Sequence, residues 1–159
     1  MIRHVRKIDM NTSKPFDILL VEDNPVDVTM IKRTFEDSDL NFQLHHAEDG
    51  EEAIQFIYTH CIDNIRDTSC PDIVILDLNI PKRSGRSVLA AIKQHPATLQ
   101  IPVVVLSSSE EDKDIYDAYS LHANCYIEKP RKHAEFKAAV ESIQQFWTNI
   151  AKLPRRMEH

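Results

Sequence analysis

Glycine is scarce in this chain of 159 residues, with only Gly50 and Gly85 present. Two glycines so far apart cannot form a GxGxxG dinucleotide-binding loop or a GxxxxGK[ST] phosphate-binding loop. The GxSxG turn that carries the nucleophile of many hydrolases is absent as well. These absences exclude Rossmann-type dehydrogenases, P-loop nucleotidases and the commonest class of α/β-hydrolase.

Cysteines and long apolar runs are also few. Cys61, Cys70 and Cys125 lack CxxC spacing, so we predict free thiols in a reducing cytoplasm and no disulfide framework or zinc site. No apolar run approaches the ~20 residues that a membrane span needs. The segment 1–14 carries charges but lacks the apolar core of a signal peptide. We therefore expect a cytoplasmic protein with no membrane partner.

A concentrated basic surface is missing too. The chain has 19 Lys and Arg against 25 Asp and Glu, a net charge of -6, and its short basic clusters lie only near the ends, at 3–7 and 155–156. Proteins that bind nucleic acids need Lys and Arg side chains to neutralise phosphates. We therefore do not expect nucleic acid as a partner.

The chain does contain a regular alternation of strand-like and helix-like segments. Continuous apolar runs are typical of strands buried on both faces, and apolar residues at steps of 3 and 4 are typical of helices packed on a sheet. The predicted strands are 16–21, 42–47, 72–77, 101–107 and 124–128, and the predicted helices are 22–39, 49–60, 84–95, 110–121 and 132–152. Such alternation predicts an α/β fold, with one parallel sheet covered by helices on both faces.

The domain boundaries are set by this alternation. We predict one domain over 16–152 with an extended final helix, a flexible N-terminal extension over 1–15 and a flexible tail over 153–159. Asn24 and Pro25 stand where the N-cap and the first residue of the first helix are expected.

Polar side chains stand at the carboxyl ends of the predicted strands. Glu22 and Asp23 come directly after the first strand, Asp77 ends the third, Ser107 ends the fourth, and Lys129 comes directly after the fifth. The carboxyl ends of parallel strands open into one crevice, where ligands bind in α/β sheets. The pattern therefore brings three carboxylates, one hydroxyl and one ammonium group to the same rim.

This set of groups points to phosphoryl chemistry with a divalent cation. Carboxylates at close range raise one another's pKa, and a hard cation relieves their repulsion. Mg²⁺ binds one or two carboxylates together with carbonyl, water and phosphate oxygens. A lysine and a hydroxyl beside such a cation suit a dianionic group. Asp77 is the candidate nucleophile, because carboxylates can form acyl phosphates.

Four motifs give the chain a strong resemblance to a known family. These are "LLVEDNP" at 19–25, "ILDLNIP" at 75–81, "PVVVLSSS" at 102–109 and "CYIEKP" at 125–130. With them the chain resembles the response-regulator receiver domain of two-component signalling over about residues 16–150. The resemblance implies a flavodoxin-like (βα)5 fold, doubly wound, with a five-stranded parallel sheet in the order 2-1-3-4-5.

Within the family, the chain is similar to single-domain regulators that pair with bacteriophytochrome-type histidine kinases. The matching features are "VEDNPVD", "LHANCYI" and the ending in which Phe146 and Trp147 precede Leu153 and Pro154. The resemblance therefore implies a histidine kinase of the phytochrome type as a partner.

The resemblance assigns roles around the phosphoacceptor. It implies that Asp77 accepts a phosphoryl group from a kinase phosphohistidine. It also implies that Glu22, Asp23 and Asp77 bind Mg²⁺ together with the backbone carbonyl of Asn79. The alternative, purely structural interpretation of Glu22 and Asp23 is that they are acidic residues in the first turn of a helix, where they stabilise its N-terminus.

The remaining roles concern the response to phosphorylation. The resemblance implies that Lys129 pairs with the phosphoryl oxygens, that Ser107 hydrogen-bonds them and that Tyr126 is the aromatic switch residue. It also implies a cis bond between Lys129 and Pro130. Tyr126 has the alternative interpretation of a core residue. Ser84 stands where an acidic residue is common in the family.

The output is predicted from the residues after the last strand. The helix after residue 130 belongs to the receiver domain, so we expect a stand-alone regulator with no DNA-binding domain. Its phosphorylated face would bind another protein or a second copy through the fourth helix, the fifth strand and the final helix, where Trp147 and Ile150 lie. The alternatives are a phosphate sink and an unphosphorylated dimeric scaffold. We expect no turnover enzyme, only phosphotransfer to the protein itself and autodephosphorylation.

Overall fold

The computed structural model describes residues 2–7, 14–63 and 69–154. Strands and α-helices alternate along these residues. They are β1 (Arg3–Lys7), β2 (Phe16–Val21), α1 (Pro25–Glu36), β3 (Phe42–Ala47), α2 (Gly50–Ile57), β4 (Ile73–Leu76), α3 (Gly85–Lys93), β5 (Val103–Ser107), α4 (Asp112–Ser120), β6 (Cys125–Glu128) and α5 (His133–Gln145). Short π-helical segments, Tyr58–Asp63 and Phe146–Ile150, continue α2 and α5.

The sheet has the order β1-β3-β2-β4-β5-β6. Strands β2 to β6 are parallel, and counted from residue 16 they have the order 2-1-3-4-5, so the predicted flavodoxin-like topology is confirmed. The sheet of the described residues has six strands where five were predicted, because β1 pairs antiparallel with the outer edge of β3.

Within the predicted N-terminal extension over 1–15, Arg3–Lys7 forms the strand β1, and the flexibility of the extension stays a prediction. An edge strand leaves a row of unpaired backbone groups, and β1 satisfies this row along β3. A short charged run has no local pattern that predicts such pairing, since the partner strand β3 lies far away in the sequence. Residues 8–13 of the predicted extension and 155–159 of the predicted tail lie outside the described residues.

Each face of the sheet has its own apolar core. Leu19 and Val21 point into a cluster with α2, α3 and α4, while Ile18 and Leu20 point into a second cluster with α1 and α5. This division results from the period of two along a strand, which sends alternate side chains to opposite faces. The helices therefore cover both faces, as the alternating pattern predicts.

Side-chain caps mark the starts of α1 and α3. The Asn24 side chain accepts a hydrogen bond from Val26 N (2.9 Å), with Pro25 at the first helical position. Ser84 caps α3, since its hydroxyl accepts a hydrogen bond from Ser87 N (3.2 Å). No helix in the described ranges combines the length and apolarity that crossing a bilayer requires.

The final helix changes from α-helical to π-helical geometry before it ends. A continuous helix over 132–152 was expected, but α5 ends at Gln145 and the chain continues as a π-helical segment to Ile150. Trp147 packs against the cluster beneath α1 and α5, whereas Ile150 is 63% exposed. The apolar side chains at the end of this helix therefore divide between the core and the surface.

The prediction of free thiols was wrong for two of the three cysteines. Cys61 and Cys70 form a disulfide, with their Cα atoms 5.0 Å apart. Both side chains lie in the apolar cluster beneath α2 and α3, which brings them together although their spacing is not CxxC. Cys125 is free, as predicted, and half-buried on β6.

Candidate phosphoryl and metal site

The site lies where β2 and β4 end side by side. The two strands are parallel and pair Val21 with Leu76, so Glu22 and Asp77 come next at the same level of the sheet. Asp77 N donates a hydrogen bond to Val21 O (3.0 Å), which continues the ladder one residue beyond the strand. The convergence predicted from the strand pattern is therefore present for these two carboxylates.

Three of the predicted residues form a cluster that suits a metal ion. Carboxylate oxygens of Glu22, Asp23 and Asp77 lie within 4.8 Å of one another, with Glu22 and Asp77 buried and Asp23 exposed. Oxygen ligands of this kind suit hard cations such as Mg²⁺. The excess negative charge and the open side at Asp23 fit a cation that keeps several water ligands.

Lys129 contacts two of these carboxylates, together with a third carboxylate outside the cluster. Its Nζ atom donates hydrogen bonds to Glu22 Oε2 (2.8 Å), Asp77 Oδ2 (2.9 Å) and Asp27 Oδ2 (2.9 Å). An ammonium group has three N–H donors, so all three are used. The backbone of the same residue is held by a hydrogen bond from Lys129 N to Ser107 O (2.8 Å).

Asp27 was not among the residues predicted from the sequence. It lies in the first turn of α1, shortly after the strand that precedes Glu22. The signal was available, because the first turn of a helix that follows a parallel strand starts at the same rim of the sheet.

The bond between Lys129 and Pro130 is trans, since no cis peptide bond occurs among the described residues. The predicted cis bond was therefore wrong. The trans form is the ordinary state of a bond to proline. With this bond in the trans form, Lys129 still reaches all three carboxylates.

Burial and charge shift the proton equilibria of the site. Burial and the neighbouring Asp77 carboxylate raise the pKa of Glu22 to about 7, and Lys129 only partly opposes this shift. Burial lowers the pKa of Lys129, but the hydrogen bonds to Glu22, Asp27 and Asp77 outweigh it and hold that pKa above its usual value. The ammonium group is therefore charged at neutral pH, and the metal-free Glu22 carboxylate readily binds a proton near neutral pH.

The turn after β4 orients Asp77. Asn79 N donates a hydrogen bond to Asp77 Oδ1 (3.0 Å), while Oδ2 faces Lys129. Gly85 packs on this turn so closely that a Cβ atom there would lie 2.5 Å from Asp77 O. One of the two glycines is thus required by the backbone of the site itself. The role of the Asn79 carbonyl as a metal ligand stays a prediction.

Ser107 and Tyr126 lie around one loop, the loop between β5 and α4. Ser107 is fully buried, and its hydroxyl accepts a hydrogen bond from Ser109 N (3.4 Å). The Tyr126 hydroxyl donates to Ser109 O (2.7 Å), and the Ser109 hydroxyl donates to Asp114 Oδ2 (2.5 Å). Arg86 of α3 pairs with the same Asp114. This loop therefore links the candidate switch residue to the site, whereas the switching role itself stays a prediction.

His46 is a further supporting residue that the sequence did not indicate. It is buried on β3, and its Nε2 atom is 2.7 Å from Glu22 O, so the ring donates to that carbonyl. Burial lowers the pKa of His46, which favours the neutral ring. This bond fixes the backbone that carries Glu22.

Comparison with known proteins supports the same interpretation. The family profile of the response regulator receiver domain matches residues 18–141. The chain is 36% identical to the response regulator Rcp1 of Synechocystis over 143 residues, which are 90% of this chain and 96% of Rcp1. It is 37% identical to the probable methanogenesis regulatory protein FilR2 of Methanothrix harundinacea over 145 residues, which are 91% of this chain and 92% of FilR2.

Solved structures agree with the fold. The phosphorylated cyanobacterial phytochrome response regulator RcpA has a TM-score of 0.81 at 39% identity, with 89% of this chain and 100% of RcpA covered. The Mn²⁺-bound form of Rcp1 has the same TM-score at 37% identity, with the same coverage. Most of this chain matches the family profile, and its fold matches that of these relatives. The chain belongs to the response regulator receiver domain family, whose members are signalling proteins rather than turnover enzymes.

Proposed function

We propose that this protein is a stand-alone cytoplasmic response regulator that accepts a phosphoryl group on Asp77 from a histidine kinase and switches a protein-binding face. The observation that carries the proposal is Lys129 Nζ, which lies 2.9 Å from Asp77 Oδ2 and also donates hydrogen bonds to Glu22 and Asp27. An ammonium group beside a carboxylate nucleophile stabilises the negative charge of a phosphoryl group in transfer.

The transfer exchanges one bond to phosphorus for another. A carboxylate oxygen of Asp77 bonds to phosphorus, and the bond from phosphorus to the histidine nitrogen breaks, with its electron pair returning to the imidazole ring. Lys129 donates hydrogen bonds to the phosphoryl oxygens, and the Ser107 hydroxyl donates to the same group once it is attached. Mg²⁺ held by Glu22, Asp23, Asp77 and the Asn79 carbonyl would neutralise charge on those oxygens.

The relatives indicate the partner. Rcp1 and RcpA match nearly the whole chain, and RcpA is a phytochrome response regulator. A histidine kinase of the phytochrome type is therefore the proposed phosphoryl donor. FilR2 is similar to this chain to the same degree and carries a different regulatory name, so phosphotransfer profiling against the histidine kinases of the host is the direct test of the partner.

The proposed output is a shift between two packings of the loop between β5 and α4. Phosphorylation draws Ser107 toward the phosphoryl group, and Ser109 and Tyr126 move with the loop. A ligand shifts such an equilibrium only by its differential affinity for the two states. A change from 1:99 to 99:1 needs about 5.5 kcal/mol, so we propose that a partner or a second copy contributes by binding the shifted face.

The exposed residues of α4 and of the segment after α5 support this face. Tyr116 is 73% exposed, Tyr119 48% and Ile150 63%. Large apolar and aromatic side chains of this kind are enriched where proteins associate. The proposed interface comprises α4, β6, α5 and the π-helical segment at the end of α5.

The test of phosphorylation uses acetyl phosphate as the donor. With Mg²⁺ present, the wild-type protein should give a retarded band on a phosphate-affinity gel, and Asp77→Asn should not. If Asp77→Asn is retarded equally, or if the wild type is never retarded, the proposal is wrong and the unphosphorylated scaffold is favoured.

The test of the output compares masses by light scattering, with and without beryllofluoride. A larger mass with beryllofluoride supports phosphorylation-linked dimerisation. An unchanged mass removes that dimer, and a phosphorylated protein that captures no partner then favours the phosphate sink.

A further inference from the structure

Asp27 holds a position that none of the assigned roles uses. It is one of three carboxylates that accept a hydrogen bond from Lys129 Nζ. The acidic cluster that could hold a metal contains Glu22 and Asp77 but not Asp27. Lys129 thus shares two of its partners with the candidate metal site and has one partner outside it.

We propose that Asp27 is the positioning residue for Lys129, whose ammonium group it keeps at the phosphoacceptor when cation and phosphoryl group take the oxygens of Glu22 and Asp77. This inference rests on the proposed function. It adds a residue that acts through Lys129 and touches neither the cation nor the phosphorus.

Counting donors and acceptors supports this role. The ammonium group has three N–H donors, and its three acceptors lie at 2.8, 2.9 and 2.9 Å. A cation bound to Glu22 and Asp77 competes with Lys129 for two of these acceptors. Because the Lys129 side chain is only 9% exposed, water cannot readily replace them. The carboxylate of Asp27 is the acceptor that remains.

The position of Asp27 makes it a rigid anchor. It lies in the first turn of α1, between the Asn24 cap and the buried residues Val28 and Ile31. Its side chain is 20% exposed, against 2% for Glu22, so it lies at the outer side of the ammonium group. A carboxylate fixed on a packed helix holds its partner better than one on a mobile loop.

Loss of Asp27 has a consequence for metal binding. In Asp27→Asn the ammonium group keeps only two charged partners, Glu22 and Asp77, and competes with the cation for both. We expect the affinity for Mn²⁺ and Mg²⁺ to fall about tenfold, in line with the coupling of close charge pairs. Free Mn²⁺ is counted by electron paramagnetic resonance, and Mg²⁺ is measured by competition.

A double-mutant cycle separates action through Lys129 from the loss of a nearby charge. In the Lys129→Met background, Asp27→Asn should change the Mn²⁺ affinity less than about twofold. The reason is that Asp27 acts on metal binding through the ammonium group, which this background lacks. An equal fall in both backgrounds, or no fall in either, overturns the proposal. Asp37→Asn is the matched control, because it removes the same charge at the far end of α1 and should leave the affinity unchanged.

The ammonium signal of Lys129 gives a second readout without the Lys129→Met variant. In the metal-free wild type, hydrogen bonds to three carboxylates should slow proton exchange enough for a ¹H–¹⁵N signal of Nζ. This signal should broaden or disappear in Asp27→Asn and persist in Asp37→Asn. Persistence in Asp27→Asn contradicts the proposal.

Neither measurement requires phosphorylation. A protein that is not labelled by acetyl phosphate but shows the coupling between Asp27 and Lys129 refutes the proposed function and leaves the positioning role intact. A protein that is labelled on Asp77 but shows no coupling refutes only the positioning role.

Discussion

At the scale of single residues, Glu22 links the electrostatics of the site to stability. Its side chain is 2% exposed, and its pKa is raised from 4.5 to about 7 by burial and by Asp77. A raised pKa means that the folded state binds a proton more tightly than the unfolded state. Its contribution to stability is therefore fully present below pH 4.5 and is lost as the pH rises through 7.

The raised pKa of Glu22 predicts that the free energy of unfolding of the metal-free protein falls between mildly acidic and neutral pH. The loss attributable to Glu22 is on the order of 3 kcal/mol, at about 1.4 kcal/mol per unit of pKa. The free energy of unfolding, measured with urea in the presence of EDTA, should fall more between pH 5 and pH 8 for the wild type than for Glu22→Gln. Comparing the two proteins cancels the contribution of His46, whose pKa is lowered by burial and which therefore has the opposite effect on the dependence of stability on pH.

Saturating Mg²⁺ provides the control for this prediction. The cation binds the ionised carboxylates, so it should reduce the difference between the wild type and Glu22→Gln in their response to pH. Parallel pH profiles of the two proteins without metal would show that Glu22 is ionised throughout this range, contrary to the prediction.

At the scale of secondary-structure elements, the disulfide ties the end of the α2 region to the segment before β4. Cys61 lies in the π-helical segment and Cys70 three residues before Ile73. The bond spans nine residues of sequence and is buried in the cluster beneath α2 and α3. It constrains the unfolded chain, and this is how disulfides mainly stabilise proteins.

Removal of the disulfide should therefore lower the free energy of unfolding. The double variant Cys61→Ala and Cys70→Ala should lose about 3 kcal/mol, from the closure of a loop of this length. Thermal unfolding with and without dithiothreitol is the measurement, and Cys125→Ala is the control. If dithiothreitol does not change the Tm of the wild type, the thiols are free in solution, as the sequence predicted.

At the scale of the whole molecule, β1 closes one side of the sheet. It pairs five residues with β3, and Arg3 forms an ion pair with Glu48 (2.7 Å). The His4 and His45 rings make an edge contact, with centroids 4.7 Å apart. Strand β4, which precedes Asp77, is separated from β1 by β3 and β2. The added strand is therefore expected to affect stability rather than phosphorylation.

Removing residues 1–7 tests this separation. The truncated protein should lose about 1–3 kcal/mol of stability, since five cross-strand pairs are lost. Amides of β3 should exchange faster with deuterium, while labelling by acetyl phosphate keeps the rate of the full chain. The variant His4→Ala measures how much of this stability comes from the ring contact between His4 and His45. A truncated protein that is no longer labelled would mean that β1 supports the site, against this expectation.

Most of the fold and part of the site could be predicted from the sequence. The buried strands β2, β4 and β5 are continuous apolar runs, and a parallel sheet orders them by rules that hold for many proteins. Glu22, Asp23 and Asp77 were predicted to meet because each stands at a strand end. The edge strand β1 and the disulfide were missed, since each depends on a partner that is distant in sequence or not marked by a motif.

Local patterns of apolar and polar residues were enough to specify the alternation of elements, the parallel topology and the rim where Asp77 lies. The positions of the groups that surround Lys129 depend instead on tertiary packing. The distance between Lys129 and Asp27 depends on how α1 and the end of β6 approach each other across the sheet, and side-chain packing controls that approach. The two glycines illustrate both cases: their scarcity excluded whole classes of protein, but only the packing of Gly85 against the Asp77 turn shows why one of them is there.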